Sequence, residues 1–146
     1  MADGRKAPRW TWHRDATNGK PTFRGKRFVL IASRFNQDIT QALVEGALKT
    51  LVAHGVLRED IHTVWVPGAF ELPAAAASIA ASLRPQAMVA LGCVIKGHTP
   101  QYTMIGQAAA DGLVHVSVTT KIPVTLGVIV AESVAQAKAR AGGRAG

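Results

Sequence analysis

The sequence predicts an α/β fold, a three-layer αβα sandwich around a four-stranded parallel sheet, on three observations. Short, nearly continuous apolar runs recur four times, the pattern of strands buried on both faces. Between them lie segments with helical spacing, such as Ile39, Leu43, Ala47 and Leu51. Strands alternating with helices imply βαβ units, right-handed crossovers and a sheet covered on both sides. A length of 146 residues, with 48% hydrophobic and 18% charged residues, fits one globular domain with a sizeable core.

Each element has a local reason. Residues 1–24 carry Gly4, Pro8, Gly19 and Pro21 among basic groups and two tryptophans, with no helical or alternating period. They are expected to form a basic flexible arm, with a short strand near Thr22–Phe23 at its end, before an α/β domain over 25–146. Arg27–Ser33 reads as the first strand. Asn36 can cap the helix carrying the Ile39 stripe, and Gly55 stops that helix with His54 in its last turn. Ile61–Val66 reads as the second strand, broken by Pro67-Gly68 and followed by an alanine-rich helix from Glu71 to Ser82. Ala87–Ile95 is the third strand, and after a Gly97–Pro100 turn a helix is expected from Gln101 to about Val114. Pro123–Val130 and Glu132–Arg140 supply the last strand and helix.

The net charge of +8 points first to nucleic acid or another anionic surface. Its distribution changes that reading. Residues 1–27 hold eight basic groups against two acids, residues 28–120 five against six, and residues 121–146 four against one. The expected body is therefore nearly neutral, and nucleic acid remains only as a role of the basic arm. One cysteine, Cys93, excludes an intrachain disulfide and any multi-thiolate metal site. The five histidines show no paired ligand spacing, so no metal is expected. No apolar run reaches the ~18 residues of a membrane span, and the N-terminus lacks a secretory apolar region, so a cytoplasmic protein is expected.

In open parallel sheets ligands bind beyond the carboxyl ends of the strands. The segments there carry residues that a plain connector does not need. Phe35 suits stacking on a flat ring or packing in the core. Glu71 can accept hydrogen bonds from a polar ligand or stabilise a helix start. Gly92 through Thr99 follows a phosphate loop in outline, but His98 stands where that loop has lysine and Gly92 falls inside a strand, which excludes nucleotide hydrolysis. Free N–H groups at the next helix start, with the Gly97 turn and the Thr99 hydroxyl, still suit a small phosphate. Arg140 can supply a bidentate partner, and Cys93 in its apolar run reads as a small buried hydrophobe.

The order and spacing of R-F-N, V-P-G-A-F-E-L-P, L-G-C-V-I-K-G-H-T-P and Q-A-K-A-R-A-G, over residues 23 to 142, resemble the lumazine synthase family. The resemblance implies a flavodoxin-like sheet and a transferase of riboflavin biosynthesis. Such an enzyme condenses 5-amino-6-(D-ribitylamino)uracil with 3,4-dihydroxy-2-butanone 4-phosphate, without metal or organic cofactor. It implies that Phe35 stacks on the uracil ring and that Ala69, Phe70 and Glu71 hold the ribityl chain. Cys93, Val94 and Ile95 would meet the pyrimidine edge, and His98, Thr99 and Arg140 the phosphate. Leu126 falls where the family has an aromatic from a neighbouring subunit of a homopentamer, which in some members closes into icosahedral shells.

Two departures accompany the resemblance. Gln101 occupies the place of the family's catalytic histidine, and glutamine cannot shuttle a proton near neutral pH. His98, three residues earlier, is either a replacement proton carrier or a solvated loop residue. The family also continues past R-A-G into a lysine-glycine turn and terminal helix, beyond the last residue here, Gly146. The expectation is therefore a synthase of reduced activity. The alternative is a shell-forming or ribityl-ligand-binding relative that does not turn over.

Overall fold

A computed structural model describes residues 23–143. The sheet contains β1 (Phe28–Ser33), β2 (Ile61–Val66), β3 (Ala87–Ile95) and β4 (Val124–Ala131) in the order β2-β1-β3-β4, every pair parallel. The helices are α1 (Gln37–Ala53), α2 (Leu72–Ser82), α3 (Gln101–Thr120) and α4 (Val134–Arg140). The three-layer α/β architecture with a flavodoxin-like strand order is as the sequence predicts.

Alternation along the strands explains the unbroken apolar runs. Val29 and Ile31 of β1, with Met88, Ala90 and Val94 of β3, face α2 and α3 through Leu72, Ala76, Leu113 and Val116. Phe28, Leu30 and Ala32 face the other way with Val44 of α1 and Leu91. A smaller cluster joins Ile39, Cys93, Ala131 and Ala137 between α1, α4 and the sheet. All six residues of β1 are buried. Full burial of a side chain such as Leu30 or Ile31 stabilises by about 1.5–3 kcal/mol, so β1 anchors both cores.

The element ends show where other forces took over. Gly55 adopts φ 92 just beyond α1, so glycine suits that exit. The helix predicted from Glu71 is divided: Ala69–Glu71 is a 3-10 turn and α2 begins at Leu72. Helix α3 runs six residues past the expected end at Val114. Its β-branched tail has weak helix propensity, but Val116 is buried against the core. The Thr119 and Thr120 hydroxyls donate to the carbonyl of Val116, and Thr119 also donates to that of His115. Lys121, left-handed at φ 60, then ends the helix.

Two expectations fail at the amino-terminal side. Asn36 precedes α1 but its side chain makes no cap hydrogen bond. Phe23 is not in a strand; it turns onto Lys26 and packs edge-on against Phe28 at 5.7 Å. Thr22 and the arm up to residue 22 lie outside the described residues.

Helix α3 sits against α2 so closely that only glycine fits at one contact. A Cβ on Gly112 would lie 2.6 Å from Cγ of Pro73, a rigid ring in the first turn of α2. Gly112→Ala should therefore destabilise the fold by about 1–3 kcal/mol, the usual cost of overpacking. Thermal unfolding checks this, and an unchanged Tm would contradict the close approach.

Candidate active site

A cavity of about 340 Å³ opens beyond the carboxyl ends of β1, β2 and β3 and the start of α3. Its walls follow from the sheet order. β1 lies between β2 and β3, so the three exits meet at one edge and their loops cannot avoid one another. The Phe35 N–H donates to the Pro67 carbonyl at 3.0 Å, and the Arg34 N–H donates to the Val66 carbonyl at 2.8 Å. The Arg34 guanidinium also stacks over Trp65, 5.5 Å from the ring centroid. These contacts hold the β1 exit against the β2 exit and leave the Phe35 ring on the cavity.

Phe35 is 71% exposed and Phe70 63% exposed. Packing in the core is therefore excluded for Phe35, and two aromatic faces stand at the mouth of one pocket. Exposed aromatics of this kind favour a flat ligand, because stacking removes apolar area from water. Ala69, beside Phe70 in sequence, is buried. The Glu71 carboxylate accepts the Gly68 N–H at 2.9 Å, so the strand-to-helix turn orients it before any ligand arrives. The reading of Glu71 as a helix-start group is thus observed: one oxygen stabilises the turn and the other is free of that bond.

The third wall is the end of β3. Cys93, Val94 and Ile95 line the cavity, with Cys93 only 1% exposed. Burial, and then the negative charge of Asp38, raise the Cys93 thiol above its ordinary range. The thiol is protonated at neutral pH and contributes shape rather than a nucleophile. Backbone groups at this strand end are donors and acceptors that a polar ligand in the cavity can use.

The fourth wall is the Gly97–Pro100 turn and the first residues of α3. Gly97, Thr99 and Gln101 line the cavity. The first N–H groups of a long helix lack intrahelical acceptors and carry the positive end of its dipole, which suits an anion there. Among the described residues, no group of three His, Cys, Asp or Glu side chains is placed to hold a metal ion. No helix among them is long and apolar enough to cross a membrane.

Of the residues singled out in the sequence, nine share this cavity: Phe35, Ala69, Phe70, Glu71, Cys93, Val94, Ile95, Thr99 and Gln101. Three do not line it. His98 is exposed on the turn. Leu126 is 55% exposed on β4. Arg140, in the last turn of α4, lines a separate cavity of about 320 Å³ with Gln136 and residues 128–131. Gly68 and Gly97, in the turns read from the sequence as strand exits, line it too, whereas Tyr102 and Ile105 were missed. Both were within reach: 101, 102 and 105 fall on one face of a helix, by the spacing of neighbouring turns.

Comparisons with known proteins show the family of the chain. Residues 25–146 match the family model for 6,7-dimethyl-8-ribityllumazine synthase. The chain is 44% identical over 126 residues to a protein of that name from Gemmatimonas aurantiaca, covering 86% of this chain and 77% of the relative. It is 41% identical over 134 residues to another of the same name from Nitratidesulfovibrio vulgaris, covering 92% and 86%. Similarity of this extent spans every strand and every wall of the cavity, and the chain belongs to the 6,7-dimethyl-8-ribityllumazine synthase family.

Proposed function

We propose that the protein is a transferase of riboflavin biosynthesis. It condenses 5-amino-6-(D-ribitylamino)uracil with 3,4-dihydroxy-2-butanone 4-phosphate to give 6,7-dimethyl-8-ribityllumazine and inorganic phosphate. The observation that carries this reading is the cavity itself, lined by two exposed aromatic rings, an oriented carboxylate, a strand end and a helix start. The family match supplies the reaction. The non-catalytic alternative is not favoured, since both relatives bear the name of the synthase.

Each wall then has a task. Phe35 stacks on the uracil ring, the backbone of Cys93–Ile95 reads its edge, and Ala69, Phe70 and Glu71 hold the ribityl chain. The Gly97–Thr99 turn and the start of α3 receive the phosphate. The amine of one substrate attacks the ketone of the other and water leaves as the imine forms. Loss of phosphate, tautomerisation and ring closure with loss of a second water complete the product. Juxtaposing the reactants can supply about 7–11 kcal/mol of such a barrier, so turnover survives with Gln101 where an acid–base group would assist.

Arg140 and Leu126 lie outside this cavity in their own chain, which supports a site completed by a neighbouring copy. On this reading a homopentamer, alone or as a unit of an icosahedral shell, is the working form, in the cytoplasm. Mixing both substrates with the protein and following the lumazine absorbance tests the assignment. A rate above the uncatalysed background is expected; a rate equal to it would refute the reaction.

A further inference from the structure

We infer that Asn36 is a positioning residue for the pyrimidine site, acting through the bond between its side-chain amide and the Cys93 carbonyl. This deepens the proposed function and rests on that reading. Its backbone has the left-handed values φ 56, ψ 46, a region that costs most side chains energy and that asparagine tolerates best after glycine. Asn36 stands at the N-cap of α1, yet its side chain makes no cap hydrogen bond. Its Nδ2 instead donates across 57 positions of sequence to the carbonyl of Cys93, at 3.0 Å in a partly buried setting.

The register of the sheet explains the need for that bond. The β1–β3 ladder ends at the pair Ala32 and Leu91, whereas β3 continues to Ile95 paired with β4 alone. On its β1 side, the end of β3 therefore has no strand to hold it. Its far end and Phe35 both line the cavity. The Asn36 amide extends the missing ladder by one hydrogen bond. Because Asn36 follows Phe35 directly, the same bond sets the distance between the stacking ring and the strand end. Phe35 is held on its other side by its N–H bond to Pro67, so the ring sits between two fixed points.

Two substitutions separate this role from general stabilisation. Asn36→Gly keeps the left-handed turn and removes the amide. Asn36→Asp keeps the side-chain shape but turns a carboxylate oxygen towards the carbonyl. Loss of one such hydrogen bond corresponds to about a five- to tenfold change. In Asn36→Gly, KM for the ribitylaminouracil should rise by that factor, while kcat and KM for the butanone phosphate stay within about twofold. Cys93, the single thiol of the chain, reports on the strand end independently of turnover. Its reaction with an aromatic disulfide reagent should quicken by a similar factor in both variants, and Asn36→Asp should show the larger change in KM.

An unchanged KM, equal changes in both KM values, or a thiol no faster than in the unsubstituted protein would overturn the inference. Should Asn36→Gly fail to fold, Asn36→Asp is judged by the same measurements. If the unsubstituted protein forms no lumazine, the reaction assignment fails separately, and the thiol rates decide whether Asn36 holds the strand end.

Discussion

Gln101→His is expected to raise kcat for lumazine formation about a hundredfold, the lower end of what a positioned general acid or base contributes. The first residue of α3 already lines the cavity, so an imidazole there needs no rearrangement of the backbone. The gain should also bring a pH dependence that the parent lacks at this position. An unperturbed histidine titrates near ~6.5, and the positive end of the α3 dipole disfavours the imidazolium and lowers that value. If the neutral imidazole is the working form, the gain is present above the lowered pKa and is lost as pH falls through it. Steady-state rates of both proteins between pH 5 and 8 check the prediction. Equal kcat at every pH would remove Gln101 from the reacting centre.

Arg140→Ala is expected to raise KM for the butanone phosphate between about tenfold and a hundredfold, as for loss of a charge-assisted bidentate contact. KM for the pyrimidine should stay within about twofold, because Arg140 lines none of the cavity that holds Phe35. The same separation makes a stronger test. If each site joins the Phe35 cavity of one copy to the Arg140 cavity of the next, then Arg140→Ala and Phe35→Ala damage opposite halves. Co-assembled from the two variants, some interfaces carry two intact halves. Activity should then exceed the sum of the separate proteins. No recovery, in a sample whose mixed assembly is verified by mass, would place the whole site within one chain.

The strands were legible where burial on both sides left only one reading. β2 and β3 fall on Ile61–Val66 and Ala87–Ile95 as expected, bounded by Pro67 and by the Arg84-Pro85 break. Helix α3 was read short because its last residues are β-branched, and local propensity says nothing of the core that Val116 enters. The nine cavity-lining residues could be anticipated because strand exits collect at one edge of a parallel sheet. Tyr102 and Ile105 were missed because both also look like ordinary interior residues, and both do pack against the core. The position of Arg140 was not legible, since chain order does not tell which side of β4 the last helix offers. Asn36 was misread for a similar reason: its partner, Cys93, is distant in sequence and becomes a neighbour only through the register of the sheet.

The central place of β1 also governs how the chain reaches its native state. Phe28 pairs with Ile61 on one side and with Ala87 on the other. The strand synthesised first must therefore wait for partners 33 and 59 residues later. At the usual elongation rate of about 5–20 residues per second, the longer wait is roughly 3–12 s. Until that second partner emerges, Phe28, Val29, Leu30 and Ile31 keep at least one unpaired apolar edge, the kind of segment that aggregates before it folds. Folding yield in vivo should depend on how fast the β3 segment emerges, and long-range pairing should make refolding slow for a chain of this size.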